Sequence, residues 1–212
     1  MDFNAFLQLA AKIHNIELPA ERAHLEMAPP ERRDIMRNLD LSKINPRKAA
    51  VLMLIYPKDS AATMALIKRN SYKGVHSSQI AFPGGKEEPD DSSLEYTALR
   101  ETEEEIGVPM RNVTVVRAFS EVYIPPSNFM VAPFLGYIDT TPHFIPDPRE
   151  VSGMVELPLS ALLDEQNMII ENMATSYSEA VNVPAFRVAN HAVWGATAMM
   201  LNELKEVLKA TL

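Results

Sequence analysis

Cysteine is absent from the 212-residue chain, which excludes a disulfide framework and a thiolate-held metal centre. No apolar run approaches the ~20 residues of a membrane-spanning helix. Met1-Asp2 opens straight into an amphipathic segment with no leader pattern. The expectation is a cytoplasmic protein without a membrane partner. Positive charge is also in deficit, the net charge being −8. That argues against nucleic-acid binding through bulk electrostatics. A small nucleotide substrate stays open, because a metal ion can supply positive charge locally. Glycine is scarce at seven residues, so the adjacent pair Gly84-Gly85 stands out.

What is present is ordinary for a globular protein: 47% hydrophobic and 23% charged residues. The length suits one domain with an appended segment and a sizeable core. Residues 1–45 read as a short N-terminal helical extension and 46–212 as the main domain. Within the extension, Phe3, Phe6, Leu7, Ala10 and Ile13 form a helical stripe. Pro19 and Pro30 can open two further helices. The segment carries no motif and reads as packing on the domain; a lid or a contact between two copies, making a homodimer, is the alternative.

Ala49 to Tyr56 is a continuous apolar run suited to a buried strand, with Thr63 to Lys68 as its hairpin partner. Ile80 to Phe82 runs into Pro83-Gly84-Gly85. Val113 to Phe119 and Phe129 to Ile138 read as strands separated by a loop at Tyr123 to Asn128. Met168 to Glu171 and Ala185 to Val188 could pair late in the chain, and His191 to about Lys209 reads as the last helix. Strands alternating with substantial helices predict an α/β fold, a mixed sheet covered on both faces.

The stretch Arg100-Glu101-Thr102-Glu103-Glu104-Glu105-Ile106-Gly107 organises the rest. Ser92 and Glu95 form a capping box, Gly107 is a natural terminator, and Leu94, Ala98, Thr102 and Ile106 make a buried stripe. On that helix Glu101, Glu104 and Glu105 share a face, and Glu103 points away. Three carboxylates on one face repel one another. A hard divalent cation removes the penalty, and an all-oxygen set suits Mg²⁺ or Mn²⁺. Gly-Gly ahead of such a helix lets backbone approach a metal or phosphate closely.

Gly85, Asp91 and then Arg100-Glu101-x-x-Glu104-Glu105-x-Gly107-Val108 resemble the Nudix box of the Nudix hydrolases. The spacing from Gly85 to Arg100 is one residue longer than the general box, so the mid-box acid is Asp91 counted forward and Ser92 counted back. The resemblance implies a Nudix-type α/β/α sandwich. It extends to Leu66-Ile67-Lys68-Arg69-Asn70 and Gln79-Ile80-Ala81-Phe82-Pro83-Gly84-Gly85, which are similar to the motif ahead of the box in the coenzyme A diphosphatase branch. That branch implies hydrolysis of coenzyme A to 3′,5′-ADP and 4′-phosphopantetheine. Gly74, Ser78 and Asn70 depart from its motif, which commonly has arginine, glycine and serine there.

On this reading Glu101 and Glu105 are the first metal ligands, with Glu104 sharing the site and Gly85 beside it. Arg100 holds a glutamate or contacts phosphate. Glu150 is an additional carboxylate, as ligand or base, so the catalytic set is Glu104, Glu101, Arg100 and Glu150. Arg69, Lys73 and Lys86 flank the cleft as substrate contacts. Trp194 is expected in the core. The alternatives are a Nudix pyrophosphatase for ADP-ribose or another nucleoside diphosphate derivative, or a Nudix ligand sensor without turnover.

Overall fold

The computed structural model describes residues 1–38, 40, 43–70, 79–174 and 180–212. Three helices come first: α1 (Phe3–Ile13), α2 (Glu21–Met27) and α3 (Pro30–Arg37). Strands β1 (Arg47–Lys58), β2 (Ala61–Arg69), β3 (Ile80–Ala81) and β4 (Gly84–Lys86) precede α4 (Leu94–Ile106). Next come β5 (Thr114–Ala118), β6 (Val122–Ile124), β7 (Phe129–Tyr137), β8 (Val151–Pro158) and α5 (Leu159–Leu163). The chain closes with β9 (Met168–Met173), β10 (Val181–Val188), β11 (His191–Trp194) and α6 (Gly195–Thr211).

The main sheet is mixed. β1 and β2 form a hairpin through Asp59 and Ser60, both at positive φ (48° and 66°), the twist a tight two-residue turn requires. On its other side β1 runs parallel to β7 over Arg47↔Phe129 to Ile55↔Tyr137. β5 and β6 pair with β7, β4 with β1, and β3 and β8 with β2. A second sheet has the order β11-β10-β9.

Strand alternation sorts β1 onto two cores. Ala50, Leu52, Leu54 and Tyr56 pack with Ala98 and Ile106 of α4. Ala49, Met53 and Ile55 face the opposite side, with Phe6 and Ile13 of α1 and Leu201 and Leu204 of α6. This is the expected sandwich. The N-terminal helices share its core: Phe6 and Ile13 are completely buried. Glu203 of α6, also buried, accepts from Ala20 N at 3.0 Å and Ser120 N at 3.1 Å, and its Oε2 lies 3.3 Å from His24 Nε2.

Three local expectations shift. The cap of α4 is Ser93, whose Oγ accepts from Tyr96 N at 3.1 Å, one residue beyond Ser92. Tyr123 and Ile124, read as loop, belong to β6 with Val122, because β7 offers them a free edge from Phe129 to Val131. His191 to Trp194 form β11 rather than the start of the last helix. Their pairing with Ala185 to Val188 outcompetes helix, and Gly195 at φ 66° makes the switch.

Candidate active site

Helix α4 presents its glutamates as its local sequence dictates. Thr97, Ala98, Thr102 and Ile106 are buried, and Gly107 closes the helix in the left-handed conformation, its N–H donating to Glu103 O at 2.9 Å. Glu105 borders the buried stripe and its side chain is 2% exposed, against 14% for Glu101 and 59% for Glu104. Glu103 points away and accepts from Met110 N at 2.8 Å.

Arg100 is the hub. Its Nε and Nη2 each donate to Asp91 at 2.9 Å, a bidentate pair. Its Nη1 donates to Glu101 Oε1 and to Glu104 Oε2, both at 3.0 Å. The Asp91 carboxyl is held well below the usual range by the Arg100 guanidinium, which Asp91 in turn pushes up. Asp91 therefore takes the mid-box position, and the extra residue is absorbed in the turn before the helix.

Glu105 faces the glycine strand. Its Oε2 accepts from Gly84 N at 2.8 Å, and its Oε1 lies 3.4 Å from Arg69 Nη1. Burial pushes its pKa from 4.5 to about 7, with the charges of Glu101 and Glu150 adding and Gly84 N–H and Arg69 opposing. Burial also raises Glu101, opposed by Arg100 and reinforced by Glu104 and Glu150. Gly85 has no room for a side chain: a Cβ there would fall onto the Glu101 carboxylate.

Glu150 is exposed on the loop docked on α4, where Ile145 N donates to Ile106 O and Asp147 N to Glu105 O, both at 2.9 Å. Asn70 N holds Glu150 O at 2.9 Å. The fold thus gathers Glu101, Glu104, Glu105, Arg100, Gly85, Arg69 and Glu150 at one edge of the sheet, with Lys86 exposed beside them. Lys73, Gly74 and Ser78 lie outside the described residues.

A cavity of about 350 Å³ opens from Gly84 and Gly85 onto the sheet face opposite α4. Val51, Phe82, Phe129 and Val131 give it apolar walls, Trp194 to Thr197 at the start of α6 close one side, and Pro29 and Arg32 of the α3 segment close another. Trp194, expected in the core, is half-buried and forms a cavity wall instead. Arg69 belongs to both places, lining the cavity and reaching Glu105. Arg32 had no signal in the sequence, since it becomes a cavity residue only through tertiary packing.

The NUDIX domain model matches residues 46–176. The chain belongs to the Nudix hydrolase family. It is 30% identical over 187 residues to the Nudix hydrolase NudL of Yersinia pestis, covering 87% of this chain and 90% of that one. Among solved structures it is similar to the Nudix hydrolase RenU of M. smegmatis, at 20% identity and TM-score 0.54, covering 78% of this chain and 87% of that one. A MutT/nudix family protein from Enterococcus faecalis has 16% identity and TM-score 0.52, covering 92% and 76% respectively. These structures share the fold. Membership carries the activity in outline, hydrolysis of a diphosphate linkage.

Nudix enzymes generally use divalent metal ions, and the donor chemistry here fits one. The carboxylates are all-oxygen donors, and burial pushes both Glu101 and Glu105 toward the protonated form, the charge of Glu101 adding to the effect at Glu105. Gly85 keeps backbone bare against Glu101. Among the described residues no three acidic or histidine side chains already converge on one point. Arg100 holds Glu101 and Glu104, while Gly84 N–H holds Glu105.

Proposed function

We propose that this Nudix hydrolase cleaves the diphosphate of coenzyme A or its derivatives to 3′,5′-ADP and 4′-phosphopantetheine, in the cytoplasm, with Mg²⁺ or Mn²⁺. The observation that carries the reading is the continuity of cavity and carboxylates. Arg69, Gln79, Phe82, Gly84 and Gly85, all from the motif ahead of the box, line the cavity, and three of them also meet the glutamates of α4: Gly84 N and Arg69 reach Glu105, and Gly85 abuts Glu101. A nucleotide bound there would lie with its diphosphate at that edge.

Glu101, Glu105 and Glu104 would hold the cation, with Gly85 allowing backbone to come close. When bound, the cation supplies positive charge to the diphosphate oxygens. Arg100, locked by Asp91, positions Glu101 and Glu104. Arg69, Lys86 and Lys73 would contact phosphate oxygens. Water adds to one phosphorus, the bridging P–O bond breaks, and the leaving phosphate takes up a proton. Glu104, the most exposed of the α4 set, and Glu150 across the cleft are the carboxylates suited to accept the proton of the water.

A product screen over coenzyme A, its thioesters, ADP-ribose, NADH and dinucleoside polyphosphates, with Mg²⁺ and Mn²⁺ separately, tests this. Release of 3′,5′-ADP from coenzyme A, abolished by chelator and lowered by orders of magnitude in Glu104→Gln, is expected. Efficient turnover of ADP-ribose with coenzyme A untouched would refute the substrate assignment.

A further inference from the structure

We propose that Arg32, carried by α3 outside the matched Nudix segment, is a specificity residue that binds a phosphate on the nucleoside part of the substrate, apart from the diphosphate that is hydrolysed. This rests on the reading that the substrate is a phosphorylated nucleoside diphosphate of the coenzyme A type.

Arg32 is only 5% exposed and lines the cavity, where its Nη2 donates to Tyr123 O of β6 at 2.6 Å. Its helix is fixed from behind. Arg33 Nε donates to Ala28 O at 2.9 Å, tying α3 to the end of α2, and α2 is in turn held to α6 by Asn202 Nδ2, which donates to Ala23 O at 2.9 Å. The guanidinium is thus held in place before any ligand arrives, which lowers the cost of ordering it on binding.

Its position relative to the glutamates follows from the register of the floor. Lys86 pairs with Ala49, Ala49 with Val131, and Val131 with Val122, so these four residues run in a row across β4, β1, β7 and β6. Gly85, against which Glu101 lies, is next to Lys86, and Tyr123, which holds Arg32, is next to Val122. Three strand spacings of about 4.8 Å separate the ends, roughly 14 Å. One phosphate cannot touch both ends. A diphosphate followed by a ribose and a further phosphate has the reach.

Of the cations lining the cavity among the described residues, Arg69 is turned to Glu105 and Lys86 is exposed beside the glutamates. Arg32 is held at the other end of the row by Tyr123 O, and Ile124, Pro126 and Phe129 also line the cavity. Weak solvent screening there strengthens an ionic contact, and the planar guanidinium fork suits phosphate better than an ammonium does.

The test is calorimetric titration of the full chain in Mg²⁺ with adenosine 3′,5′-bisphosphate and with AMP, for the wild type, Arg32→Met and Arg32→Lys. The wild type is expected to prefer the bisphosphate by about tenfold or more. Arg32→Met should bring the two ligands within about threefold of each other while AMP binding is unchanged, and Arg32→Lys should fall between. If Arg32→Met does not fold, the lysine variant decides alone. Its preference must drop with AMP unaffected, and an undiminished preference overturns the assignment. Absence of preference in the wild type, or equal weakening of both ligands in a folded variant, also overturns it. The substrate reading is judged separately, by whether the wild type turns over coenzyme A. A chain that does not can still show, or fail to show, the Arg32-dependent preference.

Discussion

Alanine at Gly85 is expected to abolish most activity while sparing stability, and alanine at Gly84 to cost stability. The two residues are adjacent in β4, but an added Cβ meets different partners. At Gly85 the nearest atoms it would meet are the carboxylate end of the Glu101 side chain, which is flexible and can swing away. The backbone there is not in the left-handed region, so alanine also reduces unfolded-state entropy by about 0.4–1 kcal/mol. Stability should stay level or rise slightly, less whatever the Arg100–Glu101 contact contributes. Glu101, however, must give up its place by an ångström or more, and a misplacement of ~1 Å at a reacting centre can cost about a hundredfold in rate. At Gly84 the Cβ would strike Ala50 O and the Val51 Cα, which are backbone, and φ is +148°. Overpacking and backbone strain together put the cost at roughly 2–4 kcal/mol. For a chain of this length that corresponds to a fall in Tm of about 5–15 °C. Thermal unfolding in chelator and kcat/KM with saturating Mg²⁺ measure both variants. A Gly85→Ala enzyme within threefold of wild type would refute the placement of Glu101 in the reaction centre. Gly84→Ala with wild-type Tm would refute the packing of β4 on β1.

Other outcomes follow from the same geometry. Asp91→Asn removes the bidentate carboxylate partner of a largely buried guanidinium, which keeps Glu101 and Glu104, and should cost about 1.5–3 kcal/mol in urea unfolding. Because Asp91 is held below the usual carboxylate range, its contribution is complete above about pH 4 and is lost as pH falls toward its folded-state pKa. The wild-type excess in stability over Asp91→Asn should therefore shrink below pH 4, and a constant difference would contradict the pairing. Glu105 has the opposite sign. Its pKa is raised from 4.5 to about 7, so the folded state is destabilised as pH climbs through that interval. In chelator, Glu105→Gln should be more stable than wild type at pH 8 and lose that advantage near pH 5; no advantage at pH 8 would contradict the burial effect. A chain starting near Pro46 removes Phe3, Phe6, Leu9 and Ile13 from the shared core. At about 2 kcal/mol each, that approaches the net stability of a typical domain. It is expected to be insoluble or molten, and a cooperative Tm near that of the full chain would show the extension to be dispensable.

The glutamate helix was legible because everything that makes it is local. A 3.6-residue stripe, a serine cap, a terminal glycine and carboxylates one turn apart need no distant partner, so the face shared by Glu101, Glu104 and Glu105 followed from spacing alone. β1, β2 and β7 were legible for a similar reason, as apolar runs that only a buried strand accommodates. The second rung of detail depended on contacts across the chain. Whether Asp91 or Ser92 answers Arg100 turns on where a guanidinium reaches, not on counting residues. Gly84-Gly85 reads locally as a turn, and it becomes a strand because β1 has an unpaired edge at Ala49 to Val51. The cavity was the least visible feature, because Arg32, Tyr123 and Trp194 lie far apart in sequence and meet only when α3 and α6 close over the sheet. Local periodicity therefore specified the charged face, and long-range packing specified what that face looks onto.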